Sequence, residues 1–356
     1  MNPPPDASAS GAPTASSAPD WTEDPESAAA ALRVALVLDA APAVWIAAHE
    51  RPDGDALGSA LGLSRLLTAR GRDARLIGLE PIPPALAFLP AESDRRVRPG
   101  EQPPEGAVLA MLDCCEAARL SSMGRDWVAR LPVATIEHHA VVAGAPLGET
   151  HWIDTRASST GELVSRMALT AGWAMPPPAA AALWVAIASD TGRFCFSNTT
   201  PRTMRVAAEL LARGADPAEL SEHAWFSPSR AEVLLKARAM LSLSLRYGGR
   251  LACVRLSRAD FDAVGAGPEC AQEVANAVRG VDGARALFFF YELAPGRVKL
   301  SVRTSAPLEA GRFCQTFGGG GHDLAAGCAF EGSSLDGAEA RALEAAGRLF
   351  FPGAEP

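Results

Sequence analysis

The sequence predicts an α/β protein in two parts: an N-terminal parallel sheet with helices on both faces, and a smaller C-terminal α/β domain. Short apolar runs alternate with amphipathic stretches from residue 44 to about 200, which is typical of parallel strands joined by crossover helices. Helical periodicity follows, and strand-like runs return after Tyr247. The length of 356 residues also favours two domains, because a compact domain usually has roughly 100 to 200 residues.

The first domain is predicted over residues 25–200, after a tail of residues 1–24 whose Pro, Ala, Ser and Gly content predicts disorder. A helix is expected from residue 25 to about 40, ending before Pro42. Strands are expected at residues 44–48, 74–79, 107–112 and 133–136. Further helices are expected at residues 56–69, 160–171, 179–189 and 201–212, the last opened by a threonine cap before Pro201.

The rest of the chain is predicted to form a helical linker over residues 201–245 and a second domain over residues 246–350. Ser227-Pro228-Ser229 predicts the start of a linker helix that continues to residue 245. In the second domain, strands are expected at residues 251–256, 286–291 and 298–303. Helices are expected there at residues 270–278 and 337–349.

Composition and charge exclude several classes of protein. Apolar residues make up 48% and charged residues 21% of the chain, which is a globular balance. The 33 basic and 41 acidic residues give a net charge of −8, which argues against a broad basic face for long nucleic acid. No apolar run reaches the roughly 18 residues of a membrane helix, and the start lacks a secretory pattern. We therefore expect a soluble, cytoplasmic protein without a membrane partner.

Residue types that bind metals recur where predicted strands end. They are His49, Asp53 and Asp55 after the first strand, Asp113 after the third, Glu137, His138 and His139 after the fourth, and Asp190 after a helix. Ligands of parallel sheets lie at the carboxyl ends of the strands, so we expect the four groups to converge on one crevice. Mixed carboxylates and imidazoles suit Mn²⁺ or Mg²⁺ and also accept Zn²⁺ or Co²⁺, and two such ions suit phosphoester hydrolysis.

Each group taken alone has a structural alternative. Asp53-Gly54-Asp55 is typical of a turn whose aspartate caps the next helix, and residues 158–162 are sufficient as a helix cap. The occurrence of all four groups in order within one predicted sheet favours metal binding over these separate explanations.

The same residues resemble a known family. His49-x-x-Pro52-Asp53-Gly54-Asp55, Asp113, Glu137-His138-His139 and Asp190-Thr191-Gly192 resemble the four motifs of the DHH phosphoesterases. The glycine-rich run at residues 317–327 resembles the signature of the accessory DHHA1 domain. The resemblance covers residues 44 to about 345. The short spacing between the two signatures is similar to that of the oligoribonuclease (nanoRNase) and adenosine-bisphosphate phosphatase branch, rather than that of the larger RecJ exonucleases.

The resemblance implies a set of ligands and catalytic residues. One ion would be held by His49, Asp53 and Asp113, and the other by Asp55, Asp113, His138 and Asp190. His139 would face the substrate phosphate, so Asp113 and His139 are the expected catalytic residues. Glu137 stands where the family has aspartate, and it is implied to support the neighbouring histidine without touching the metal. Mn²⁺ is the expected metal, with Mg²⁺ and Co²⁺ as alternatives.

The second domain carries a candidate substrate site. Residues 318–321 are four glycines, which let the backbone approach an anion, and His322 is expected to begin a helix whose N-terminus strengthens that site. A flexible loop is the alternative for this run. Alternation along a strand puts Lys299, Ser301 and Arg303 on one face. The resemblance implies that Arg303 contacts a substrate phosphate, with further substrate contacts from Gly319, Gly320, Gly321 and His322.

The resemblance implies a two-metal phosphoesterase that hydrolyses short single-stranded RNA, 3′,5′-bisphosphonucleotides or both through a metal-bridging hydroxide. The negative net charge supports short substrates over long duplex nucleic acid, because tracking a long backbone requires a basic groove. The alternatives are a linear or cyclic dinucleotide phosphodiesterase acting on pApA, pGpG or cyclic di-AMP, and a non-catalytic nucleotide-binding relative. The sequence leaves open the polarity of attack and whether the chain forms a homodimer.

Overall fold

The computed structural model describes residues 24–141, 147–271, 274 and 280–355, and the chain divides into two compact units between Ser227 and Pro228. All of the tail predicted to be disordered except Asp24 lies outside the described residues. Of the segment predicted as a helical linker, residues 201–227 belong to the first unit and residues 228–245 to the second. No helix among the described residues is both long and apolar enough to cross a bilayer.

The first unit contains the predicted parallel sheet. Its elements are α1 (Pro25–Ala40), β1 (Ala43–Ala47), α2 (Gly54–Ala69), β2 (Asp73–Ile77), β3 (Val108–Leu112), α3 (Ser122–Val128), β4 (Val133–Glu137), β5 (Thr150–Ile153), α4 (Thr160–Thr170), α5 (Pro177–Asp190), α6 (Pro201–Ala212) and α7 (Pro217–Ser221). The strand order is β2-β1-β3-β4-β5, and all neighbouring strands are parallel. The predicted α/β class and its four strands are confirmed.

Helices cover both faces of this sheet, as predicted. The side chains of β1 alternate between two cores: Val44 and Ile46 pack into the larger one, and Trp45 and Ala47 into the smaller one. Helices α1, α2, α4 and α5 supply the larger core, while Trp127 of α3 closes the smaller core with its ring 4.8 Å from that of Trp45. Burial on both faces explains why the central strands are continuous apolar runs.

Strand β5 was not predicted from the sequence. It is only four residues long and lies at the edge of the sheet, and only Trp152 among its residues is fully buried. The Trp152 indole N–H donates to the Ser27 hydroxyl at 3.0 Å, which joins this edge to the start of α1. A short strand with one buried apolar residue does not produce the alternation that identifies a strand from sequence.

Two glycines allow α2 and α4 to lie very close to α5. A Cβ atom at Gly58 of α2 would lie 2.5 Å from the carbonyl oxygen of Ala182, and one at Gly161 of α4 would lie 2.4 Å from the Cβ of Ala186. At both positions a side chain would require the neighbouring helix to shift. The three helices therefore hold their ends, which carry Asp55, Thr160 and Asp190, in fixed proximity.

The second unit contains a mixed sheet between two layers of helices. Its elements are α8 (Arg230–Leu241), β6 (Ser244–Arg246), β7 (Leu251–Leu256), α9 (Arg258–Val264), β8 (Ala286–Ala294), β9 (Arg297–Thr304), α10 (Ala310–Gln315), β10 (Gly320–His322), β11 (Ala325–Glu331) and α11 (Leu335–Leu349). The strand order is β10-β11-β9-β8-β7-β6, and only the pair β7–β8 is parallel. The three predicted strands and the C-terminal helix are present.

Two helix predictions in this part of the chain are wrong. The helix expected to start at His322 is a β-hairpin, because Ala326, Cys328 and Phe330 alternate into the core and pair β11 with β9. The helix expected to run to residue 245 ends at Leu241, and residues 244–246 form an edge strand. The helix expected at residues 270–278 lies mostly outside the described residues.

The close packing on α5 predicts a difference between two glycines of α2. Gly58→Ala is expected to reduce the free energy of unfolding by about 2 kcal/mol, because its methyl group would meet backbone atoms that cannot rotate away. In Gly62→Ala the methyl group would meet only side-chain atoms of Leu183, which shift more readily than a helix backbone, and alanine favours the helix by about 1 kcal/mol, so a smaller loss is expected. Urea unfolding followed by circular dichroism compares them, and equal losses in both variants would contradict this explanation.

Candidate metal centre

The four groups of polar residues that the sequence places at strand and helix ends converge at one edge of the first sheet. The side chains form three overlapping sets, and within each set the ligand atoms lie within 4.8 Å of one another. The sets are His49, Asp53 and Asp113; Asp55, His138 and Asp190; and Asp113, Glu137, His138 and His139. The expected juxtaposition of these side chains is therefore present.

The first set is built around His49, which follows β1. Its Nε2 lies 3.4 Å from Asp113 Oδ2 and 3.8 Å from Asp53 Oδ1. Its Nδ1 lies 3.1 Å from the carbonyl oxygen of Glu50, so this nitrogen donates a hydrogen bond and Nε2 is directed to the carboxylates. Asp53 also caps α2, accepting from the N–H groups of Asp55 and Ala56 at 3.0 Å each. The cap and the metal-ligand interpretation of Asp53 are thus compatible.

The second set is built around His138, which follows β4. Its Nε2 lies 3.2 Å from Asp190 Oδ2, 3.5 Å from Asp55 Oδ2 and 3.5 Å from Asp113 Oδ1. This nitrogen is buried and makes no hydrogen bond of acceptable geometry with any described residue. A buried nitrogen that three carboxylates surround without a well-aligned hydrogen bond fits a divalent cation among these four side chains.

Asp113 belongs to both sets through different oxygens. Its Oδ2 faces His49 and its Oδ1 faces His138. The residue has a φ of 55°, in the left-handed region that few non-glycine residues adopt, and only 2% of it is exposed. This turn, directly after β3, lets one carboxylate lie between two imidazoles, as a ligand shared by two ions would.

The N-terminus of α4 holds two of these carboxylates, which the sequence did not predict. The N–H groups of Thr160 and Gly161 donate to Asp55 at 2.7 and 2.8 Å. The Thr160 hydroxyl donates to Asp113 Oδ1 at 3.1 Å. The expected cap is also present, since the Ser159 hydroxyl accepts from the Glu162 N–H at 3.0 Å. The positive end of the helix stabilises these buried carboxylates.

A buried ionic network fixes this helix from behind. Glu162 accepts from Arg202 Nε at 2.7 Å and from the hydroxyls of Ser158 and Thr203 at 2.8 Å each. Arg166 lies 3.5 Å from both Glu162 and Asp154. Because breaking a buried ion pair leaves an uncompensated charge, this network makes displacement of the start of α4 costly.

Glu137 holds both histidines that follow it. Its Oε1 accepts from the backbone N–H groups of His138 and His139 at 2.7 and 2.8 Å, and lies 2.7 Å from His139 Nδ1. Since an ionised carboxylate only accepts, His139 Nδ1 donates and its Nε2 is directed elsewhere. The side chain of His139 is 28% exposed, whereas that of His138 is 8% exposed. His139 is thus the imidazole of this pair that is open to solvent.

Charge and burial determine the pKa values of the carboxylates and imidazoles of the candidate metal centre. Burial, reinforced by the carboxylates of Asp113 and Asp190, raises the pKa of Asp55 well above its usual value. Burial also raises the pKa of Asp113, but the imidazoles of His138 and His49 outweigh it and hold that pKa below its usual range. Burial opposes protonation of the two histidines, yet the carboxylates raise the pKa of His49 to about 10 and of His138 to about 12.

In the second unit, two of the predicted substrate residues, His322 and Arg303, lie in one cross-strand row of the sheet. Cross-strand pairing aligns His322 with Ala325 and Ala325 with Arg303. Gly319 donates its N–H to the Cys314 carbonyl at 2.9 Å, and a Cβ there would lie 2.3 Å from the carbonyl oxygen of Gly327. Glycine at this position is thus required by close backbone approach.

Comparison with known proteins found two matching domain families and several relatives of similar length. The profile of the DHH family, N-terminal domain, matches residues 43–188, and that of the DHHA1 domain matches residues 261–350. The bifunctional oligoribonuclease and PAP phosphatase NrnA of Thermus thermophilus is 34% identical over 302 residues, which are 85% of this chain and 88% of that protein. The Bacillus subtilis protein of that name is 29% identical over 284 residues, 78% of this chain and 86% of the relative.

A solved structure shares the fold. An exopolyphosphatase-related protein from Bacteroides fragilis superposes with a TM-score of 0.81 at 22% identity. The match covers 90% of this chain and 97% of that one, so both parts of the chain have counterparts there.

The raised histidine pKa values predict proton release when a metal binds. Below about pH 10 the metal-free protein carries protons on His49 and His138, and a metal ligand must be a neutral imidazole. Binding of Mn²⁺ at neutral pH is expected to release on the order of two protons, and its affinity is expected to increase with pH. Calorimetric titrations in buffers of different ionisation enthalpy count the protons. A binding enthalpy that does not depend on the buffer would contradict the expectation.

Proposed function

The chain belongs to the DHH family, and from this membership and the geometry of its first unit we propose a two-metal phosphoesterase that hydrolyses short oligoribonucleotides and 3′,5′-bisphosphonucleotides. In this proposal residues 25–200 form the catalytic domain and residues 246–350 the substrate-binding domain, joined by residues 201–245. The Thermus thermophilus and Bacillus subtilis relatives align over most of this chain and most of their own length. Both are named for oligoribonuclease and PAP phosphatase activity, which supports this substrate class.

One observation carries the proposal: the two oxygens of Asp113 face different histidines. Oδ2 lies 3.4 Å from His49 Nε2, and Oδ1 lies 3.5 Å from His138 Nε2. A carboxylate placed in this way would be shared by two ions. We assign one ion to His49, Asp53 and Asp113, and the other to Asp55, Asp113, His138 and Asp190. Their oxygen-rich ligands favour Mn²⁺, with Mg²⁺ or Co²⁺ as alternatives.

When bound, such a pair of ions generates a nucleophile from water at neutral pH and stabilises the charge of the phosphoryl group in the transition state. The protein's own residues orient the reaction. Glu137 fixes the ring of His139 through Nδ1, so that Nε2 can donate a proton to the leaving oxygen. The start of α4 holds Asp55 and Asp113 in place, which keeps the ligand geometry preorganised.

We propose that the second unit contributes to substrate binding. Gly320, Gly321 and His322 form β10, which is separated by β11 from the strand β9 that carries Arg303, and Gly319 directly precedes β10. The guanidinium of Arg303 suits a phosphate, which it can contact with two N–H groups at once. A second phosphate or a terminal nucleotide is the group that these residues would bind.

The proposal predicts a pattern of substrates. Purified protein with Mn²⁺ is expected to release nucleotides from pApA and from a 5′-phosphorylated RNA pentamer, and phosphate from adenosine 3′,5′-bisphosphate. A long RNA, cyclic di-AMP and pyrophosphate are expected to react much more slowly. Asp113→Ala is expected to lose activity by at least about a thousandfold, because both ions share this ligand.

The products from the six compounds are separated by chromatography, and phosphate release is measured in parallel. Rapid processive digestion of the long RNA, or hydrolysis of pyrophosphate alone, would reject the proposed substrate class. Mn²⁺ binding without turnover of any of the six compounds would favour the non-catalytic alternative.

A second prediction concerns Glu137. Glu137→Gln keeps the length of the side chain but removes the charge that orients and stabilises the His139 ring. It is expected to lower kcat by about 10- to 100-fold, with little change in KM and with Mn²⁺ still bound. Glu149→Gln, the same change at an exposed position of the first unit, is the control. Steady-state kinetics and calorimetry test this, and an unchanged kcat would show that Glu137 does not act on His139.

A further inference from the structure

The chain makes an unusual turn directly after Asp190. Gly192, Arg193 and Phe194 are consecutive and have φ values of 54°, 60° and 64°. Left-handed residues normally occur singly, and phenylalanine is among the residue types that adopt this conformation least readily. Backbone strain of this kind persists only where the surrounding structure enforces it, and it is concentrated at functional sites.

Hydrogen bonds close this turn onto the candidate metal ligand. Thr191 accepts from the Phe194 N–H at its hydroxyl, at 3.0 Å, and from the Phe196 N–H at its carbonyl, at 2.9 Å. The side chain of Asn198 then donates to the Asp190 carbonyl at 3.1 Å. Residues 191–198 therefore form a closed loop that begins and ends at Asp190.

The strained turn separates two neighbouring side chains. Phe194 packs inward, with its ring 6.1 Å from that of Trp184. Arg193 is exposed, and its guanidinium lies over the ring of Phe226, 5.7 Å from the centroid. Phe196 covers Gly192, where a Cβ atom would lie 2.3 Å from its ring. Arg193 and Phe194 thus occupy different environments although they are consecutive.

Phe226 belongs to a second rare backbone feature. Residues Glu222–Phe226 form a π-helical turn, and Phe226, its last residue, is 57% exposed. Single π-helical turns are frequent at functional sites. The guanidinium of Arg193 lies over this exposed ring. Two uncommon turns, 30 residues apart along the chain, thus meet in one contact between a cation and an aromatic ring.

The charge of the Arg193 guanidinium is not neutralised by an acidic side chain of the described residues. Arg193 forms no ion pair with any residue in the part of the chain that the structure describes, although the protein has eight more acidic than basic residues. It lies three residues beyond the candidate ligand Asp190, in the loop that Asn198 closes back onto the Asp190 carbonyl. Guanidinium planes and aromatic rings are the two kinds of side chain on which unpaired nucleobases stack.

We propose that Arg193 and Phe226 form a nucleobase-stacking surface beside the metal centre, which binds the base of the nucleotide whose phosphate is hydrolysed. The inference rests on the proposed function, because it takes a nucleotide as the substrate. Stacking on this surface is tolerant of sequence, since every base has a π-face. The surface makes the enzyme specific for nucleotides over phosphoesters without a base, and it requires only residues of the first unit.

The experiment compares two ligands that differ only in the base. The dissociation constants of AMP and ribose 5-phosphate are measured by calorimetry with the Mn²⁺-loaded full chain. Wild-type protein is expected to bind AMP at least about tenfold more tightly than ribose 5-phosphate. Phe226→Ala and Phe226→Leu are each expected to reduce this ratio to about threefold or less, while binding of ribose 5-phosphate stays the same.

Two further variants separate stacking from other roles. Arg193→Lys keeps the charge but removes the plane, so it is expected to reduce the ratio as well, whereas a pure phosphate contact would leave the ratio intact. Leu211→Ala, at an exposed apolar position of α6, is the matched control and is expected to retain the wild-type ratio. Thermal unfolding of each variant identifies any that fail to fold, and Phe226→Leu keeps the test available if Phe226→Ala does not fold.

The outcomes distinguish this inference from the proposed function. A ratio of AMP to ribose 5-phosphate affinity near one in the wild-type protein would overturn the stacking surface, even if short RNA is hydrolysed. The same conclusion would follow if both Phe226 variants and Arg193→Lys kept the ratio of the wild-type protein. If wild-type protein hydrolyses no nucleotide, the proposed function fails, and a base-dependent ratio lost in these variants would still support the stacking surface.

Discussion

The structure of the first unit depends on holding buried carboxylates close together. Asp55 and Asp113 are almost completely excluded from water, and Asp190 lies against the same imidazole. Desolvation and mutual repulsion both oppose this arrangement. It is stabilised by two imidazoles and by the N-terminus of α4, and the latter can approach only because Gly161 has no side chain. The close helix packing on α5 is therefore part of the site rather than a separate feature of the core.

The sequence was sufficient to find the side chains that touch one another but not those that hold them. His49, Asp113 and His138 each follow a strand of a parallel sheet, and strands of such a sheet end at one edge, so their convergence follows from topology. Thr160 lies 105 residues from the carboxylate of Asp55 that its N–H holds, and nothing in a local pattern connects the two. Its segment already had a sufficient explanation as a helix cap, which the structure confirms, and this concealed its second role.

The elements that the sequence analysis predicted wrongly or missed have a common physical explanation. The run after the four glycines is rich in alanine, which favours a helix locally, yet it becomes a strand because β9 offers a partner along its whole length. Residues 244–246 likewise form a strand through pairing with β7, and β5 through pairing with β4. In each case tertiary pairing decides the conformation, and sequence periodicity over three to seven residues cannot report it.

The charge of the centre also constrains what the rest of the molecule must supply. Asp53, Asp55, Asp113 and Asp190 surround two imidazoles, so a phosphate approaching the metal-free group would meet net repulsion. Substrate affinity therefore depends on bound cations and on contacts beyond the carboxylates. An acidic chain has few such contacts to offer, and it concentrates them in single, well-placed cations rather than in a continuous basic groove. Arg193 fits this description in the first unit, since its neighbour is an aromatic ring and not an acid. Short nucleotides, which present one or two phosphates and a base, are the ligands that such a sparse arrangement can hold.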